Sequence, residues 1–125
     1  MDIGRRATLT PVRTTFHLTP RNAWETADPR RPYQAPSLAT EGFIHCTDGV
    51  EAMVATANRH YGEAAGEFVV LTVDLESCGN PWRIDDPGMP YPHVYGPIAR
   101  GAILAVTPIP RDPAGRFLMF SVADD

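Results

Sequence analysis

Thirteen prolines and ten glycines punctuate a chain of 125 residues, and this spacing constrains the fold more than any other feature. Proline removes a backbone donor and fixes φ, and glycine weakens the interior of a helix or strand. The chain must therefore be assembled from short elements joined by many loops, which excludes a bundle of long helices. Its length suits one domain and is too small for two independent cores. With 43% hydrophobic and 21% charged residues, the composition is that of an ordinary globular chain.

The pattern divides into a flexible N-terminal tail over residues 1–11 and a single α+β domain over 12–125. Residues 12–18 (VRTTFHL) are β-branched and aromatic and read as a strand. Thr19 and Pro20 then supply an N-cap and a first helical proline for a short helix through Trp24. Residues 28–36 form a loop, and 37–41 make one or two helical turns that stop at Gly42. Residues 43–46 read as a brief buried strand. Asp48 with Glu51 resembles a capping box, after which Val50, Met53, Val54, Ala57 and Tyr61 recur at helical spacing until Gly62. Residues 67–75 are almost continuously apolar, as in a central strand. A short strand at 82–84 leads to a turn at 85–88, and 89–97 is a rigid proline–aromatic loop leading into an edge strand. Residues 102–109 and 116–122 read as a hairpin across the 110–115 turn. The sum is a small split antiparallel or mixed sheet of about six strands with one main helix.

All 11 basic residues are arginine, and no lysine occurs. Schiff-base chemistry, a pyridoxal anchor and the P-loop lysine are therefore excluded. A formal net charge of −4 argues against general nucleic-acid binding held by phosphate neutralisation. Cys46 and Cys78 show no metal or redox spacing and are too few for a disulfide scaffold, which points to a reducing, cytoplasmic setting. No apolar run of membrane-spanning length and no signal-peptide core is present, so no membrane partner is expected. Nor is there a glycine-rich phosphate loop of the dinucleotide or Walker type.

Histidine is what remains. Alternation sets His17 opposite Phe16 and Leu18, toward a cleft or solvent if those two face the core. His45 stands where a strand ends and a helix begins, a junction whose free amides commonly hold anions. His93 lies in the proline–aromatic loop with Tyr91 and Tyr95, whereas His60 sits near a helix end, where a cation simply meets the dipole. Cys46 cannot pair with adjacent His45, because neighbouring strand residues point to opposite faces. A metal site of His17, His45, His93 and a cysteine is available in composition, without any HxH, HExxH or CxxC spacing. Asp85 and Asp86 are accounted for by turn chemistry. Arg13, Arg83 and Arg100 are the alternatives from which a guanidinium would meet phosphate oxygens, with no choice among the three fixed by the sequence.

The blocks Phe16-His17-Leu18-Thr19, Glu41-Gly42-Phe43-Ile44-His45-Cys46 and Pro92-His93-Val94-Tyr95-Gly96-Pro97, with Trp24 and Ser37-Leu38, occur in one order and spacing. Through them the chain resembles domain-of-unknown-function family 952 of bacteria and plants, over roughly residues 15–109. That family looks related to the ADP-ribosyltransferase-like superfamily, especially its tRNA 2′-phosphotransferases, in which two histidine-bearing strands line an NAD-binding cleft. The resemblance implies an ADP-ribosyltransferase-like fold and NAD as cofactor. It places His17, His45 and Tyr95 as catalytic residues and Thr19, Thr47, His93 and Arg83 as ligand-binding residues. Tyr95 falls near the motif where many transferases carry a catalytic glutamate, and no glutamate follows Glu76 here. The expected partner is a small nucleotide-like molecule, bound by a transferase or by a non-catalytic binding module.

Overall fold

The computed structural model describes residues 12–122; the expected tail over residues 1–11 lies outside them. The elements run β1 (Thr14–Pro20), α1 (Arg21–Thr26), α2 (Pro36–Glu41), β2 (Ile44–His45), α3 (Val50–Tyr61), β3 (Phe68–Asp74), β4 (Trp82–Ile84), β5 (Pro92–Val94) and β6 (Ile103–Pro108), with 3₁₀ turns at Leu75–Ser77 and Arg100–Ala102. Two three-stranded sheets result, ordered β1-β3-β6 and β2-β5-β4. Every pairing within them is antiparallel. The fold is thus a small α+β domain with a split sheet.

β3 explains how the layers assemble. All seven of its residues are buried, as a strand covered on both faces requires. Val69, Leu71 and Val73 face one core with Ile44, Val94 and Ile98, which includes the second sheet. Phe68 and Val70 face another with Met53 and Ala57 of α3 and with Phe117 and Phe120. The two-residue period of the strand therefore sorts its side chains between two cores. The central position expected for this segment is observed.

Several expected elements take a different form. Residues 116–122 are not a strand and make no hairpin; a single bridge joins Arg111 to Phe117. The Asn58 side chain supplies the missing ladder, accepting from the Phe117 amide at 2.8 Å and donating to its carbonyl at 3.1 Å. Pro92 begins β5, which lies in the middle of the second sheet and not at an edge. It is tolerated as the first strand residue, where its carbonyl still accepts from Cys46 N at 2.9 Å. α3 is entered through Gly49, at φ 92°, with no side-chain cap. Asp48 does not cap, because Arg13 holds both its oxygens at 2.9 Å. Thr19 is likewise no cap; it is a buried β1 residue, and Pro20 occupies the cap position of α1. The two short helical segments and the one main helix stand where they were expected.

Candidate functional site

The two sheets are stitched together at one point and diverge from it. Phe16 and Thr47 exchange backbone hydrogen bonds of 3.0 and 2.7 Å, joining β1 to the residues just after β2. Beside this stitch opens a cleft of about 850 Å³. β1 lines it with His17 and Thr19, the β2 segment with His45 and Thr47, and the end of α3 with Arg59 and His60. Tyr33, Glu41, Tyr91, His93 and Asp86 add to the polar lining, over an apolar floor that includes Met53.

His17 reaches this wall because its register partner is Leu71, so it faces the second sheet with Leu71 while Leu18 pairs with Val70 on the other side. It is 6% exposed, and both ring nitrogens are engaged. Nδ1 lies 2.7 Å from the His45 carbonyl and Nε2 lies 2.8 Å from the Tyr33 hydroxyl. A carbonyl can only accept, so Nδ1 carries the proton and the Tyr33 hydroxyl donates to Nε2. Burial pushes the His17 pKa down to about 4, against the opposing pull of the His45 carbonyl. His17 is a neutral strut between the sheets: it holds the strand that presents His45 and orients the Tyr33 phenol. Burial in turn raises the Tyr33 pKa, with the Thr19 hydroxyl acting in the opposite direction.

His45 is open to solvent and pairs with Glu41 through Nε2 at 3.1 Å. Glu41 is one turn before His45 in sequence because α2 ends on left-handed Gly42, at φ 91°, which reverses the chain directly into β2. His93 lies opposite His45 on β5, and its Nδ1 meets Asp85 at 2.8 Å. Asp85 also accepts from the Tyr95 hydroxyl and from Arg83. The Tyr95 bond, then that of His93, hold its pKa below the ordinary carboxylate range.

The resemblance-based site residues therefore separate. His17, Thr19, His45, Thr47 and His93 come together around the cleft, whereas Tyr95 and Arg83 are not among its lining residues. Those two lie with Asp85, the Arg83 guanidinium 4.3 Å over the Tyr95 ring. Arg13 is committed to Asp48, and Arg100 to the Asp28 and Arg31 carbonyls. The cation in the cleft is instead Arg59, beside which the Tyr91 phenol titrates below its ordinary range. Tyr33 and Arg59 were not singled out from sequence, and Glu41 entered only as part of the Glu41–Cys46 block. Helical spacing from Met53 to Arg59 and His60 marks one turn of α3, but nothing local says that this turn faces a cleft. Cys46 sits in the core between the sheets, where burial raises its thiol pKa and leaves it inert. Among the described residues no three His, Cys, Asp or Glu side chains converge as metal ligands. None of the described helices is long and apolar enough to cross a membrane.

Two packed antiparallel sheets with an open polar cleft at their junction define a small α+β domain of split-sheet architecture. Residues 18–106 match the family described as "Protein of unknown function (DUF952)", and the chain belongs to that family. Its fold is similar to that of protein CC0527 from Caulobacter crescentus. The crystal structure of CC0527 superposes with a TM-score of 0.66 at 24% identity, over 85% of this chain and 94% of that one. Its solution NMR structure gives a TM-score of 0.62 at 23% identity, over 82% and 89% of the two chains. No curated protein matches the chain.

Proposed function

We propose that the cleft binds an NAD- or ADP-ribose-type ligand, and that the protein acts there as a transferase at the nicotinamide ribose or at a 2′-phosphate. The observation that carries this reading is the convergence of two histidine-bearing strands, β1 and β2, on one cleft of about 850 Å³. Such a volume suits a ligand of nucleotide size. Arg59 supplies a guanidinium for phosphate oxygens, and the Thr47, Tyr33 and Tyr91 hydroxyls suit ribose hydroxyls. His17 acts indirectly, by orienting Tyr33 and His45, while His45 and Glu41 face the ligand. Glu41 takes the place of the carboxylate missing after Glu76, because a charge poised at the anomeric carbon stabilises the cation that develops there.

Isothermal titration with NAD and with ADP-ribose tests the reading. Wild-type protein binds at least one of them, and His45→Ala weakens binding without unfolding the chain. Absence of binding by either ligand at millimolar concentration defeats the proposal. Release of nicotinamide from NAD then separates a transferase from a non-catalytic binding module.

A further inference from the structure

The outward face of the second sheet carries a row of ionisable side chains set by strand register. His45 is the cross-strand partner of His93, and His93 of Arg83. Because the neighbouring pair Cys46/Pro92 is closed by a backbone hydrogen bond, His45 and His93 occupy the intervening non-hydrogen-bonded site, where antiparallel side chains lie closest. Their ring centroids are 5.4 Å apart. Phe43 stacks on the His93 ring at 4.0 Å and meets the His45 ring edge-on at 4.8 Å, which restrains both rings.

Each imidazole is buttressed by its own carboxylate, Glu41 on His45 Nε2 and Asp85 on His93 Nδ1. The opposite nitrogens, Nδ1 of His45 and Nε2 of His93, have no hydrogen-bond partner among the described residues. Two oriented imidazoles, each with one nitrogen available, are the equipment of general acid–base catalysis at a single centre. Arg83, the next side chain in the row, lies just beyond the residues that line the cleft, with Nε on Asp85; 65% exposed, it presents a guanidinium, the group best shaped for a phosphate.

We propose that His45 and His93 form an acid–base pair that hydrolyses a small ribose-linked cyclic phosphodiester, with Arg83 holding the phosphate anion. A nucleoside 2′,3′-cyclic phosphate is the simplest such substrate. The proposal rests on the reading that this cleft takes a phosphorylated ribose. One imidazole, neutral, accepts a proton from water as the water oxygen bonds to phosphorus. The other, as imidazolium, gives its proton to the ribose oxygen as the P–O bond to that oxygen breaks. The product is a nucleoside monophosphate, and the two rings exchange protonation states through solvent before the next turnover. A compact substrate fits the formal net charge of −4, which disfavours a long polyanion.

The test is incubation of the full chain with adenosine 2′,3′-cyclic phosphate, with products followed by ³¹P NMR. Wild type is expected to release the monophosphate, and His45→Ala and His93→Ala each to lose about 10²–10⁴-fold in kcat. Added imidazole should restore part of the activity in each alanine variant, which a purely structural role would not allow. The isosteric Glu41→Gln and Asp85→Asn, checked for folding by circular dichroism, should lower kcat with little change in KM. Wild-type turnover no greater than that of the His45→Ala/His93→Ala double variant overturns the proposal, as does failure of rescue in both folded single variants. ADP-ribose binding without cyclic-phosphate turnover defeats this proposal and leaves the cleft reading intact. Turnover without NAD or ADP-ribose binding defeats only the NAD reading.

Discussion

His17 concentrates the residue-scale physics of this domain. A buried imidazole bonded at both nitrogens, with a carbonyl as acceptor, is held neutral, so the native state resists a proton that the unfolded chain takes up readily. The folded pKa is about 4, below an unfolded value of about 6.5. The stabilisation is therefore complete above about pH 6.5 and is lost as pH falls through 4, to a total of about 3 kcal/mol. Apart from a constant packing difference, denaturant titrations of wild type and His17→Gln should run parallel above about pH 6.5 and separate progressively toward pH 4, with wild type losing the more stability. Curves parallel across the whole window would contradict a neutral buried His17. Strand alternation made His17 legible as a residue apart from Phe16 and Leu18. Its partner Tyr33 was not legible, because the two meet only after a loop folds back over the sheet.

At the scale of elements, local signals work where a helix or strand carries its own stop. Gly42 ends α2, and the helical spacing from Val50 to Tyr61 forms α3, with Met53 and Ala57 buried. They fail for the segment after Pro110, whose alternating apolar residues resemble a strand. There Phe117 and Phe120 are buried under α3, and Asn58 takes the place of a neighbouring strand. Asn58→Ala should leave the Phe117 amide and carbonyl unpaired and cost about 1–3 kcal/mol. Amide exchange reads this directly: protection at Phe117 should collapse in Asn58→Ala while β3 amides change only with global stability. Unchanged protection at Phe117 would mean that packing alone holds the segment.

At the scale of the molecule, β3 is the shared wall of two cores, and its side chains are unequal to those of the free edge. Leu71 is fully buried between the sheets, whereas Leu104 on β6 is 52% exposed. Leu71→Ala should cost about 2–5 kcal/mol through transfer and cavity terms. Leu104→Ser should stay within about 0.5 kcal/mol. Thermal or urea unfolding measures both, and a Leu71→Ala cost below about 1 kcal/mol would place the core elsewhere. Because Leu71 is the register partner of His17, its loss should also weaken the ADP-ribose binding proposed for the cleft, by loosening the strut between the sheets.

By itself the sequence determined the short-element α+β character, the central apolar strand and the main helix, since propensity, glycine stops and alternation act within a few residues. Which side chains meet was decided only by tertiary structure. The Phe16/Thr47 stitch, the His45/His93 pairing and the Tyr33–His17 bond each join residues separated in sequence by 31, 48 and 16 positions. Tyr95 shows the limit most plainly. It lies two residues from the cleft residue His93 but is not among the lining residues; it meets Asp85 and Arg83, which β4 and the turn after it bring alongside, so contacts across the chain and not spacing along it decide where the phenol sits.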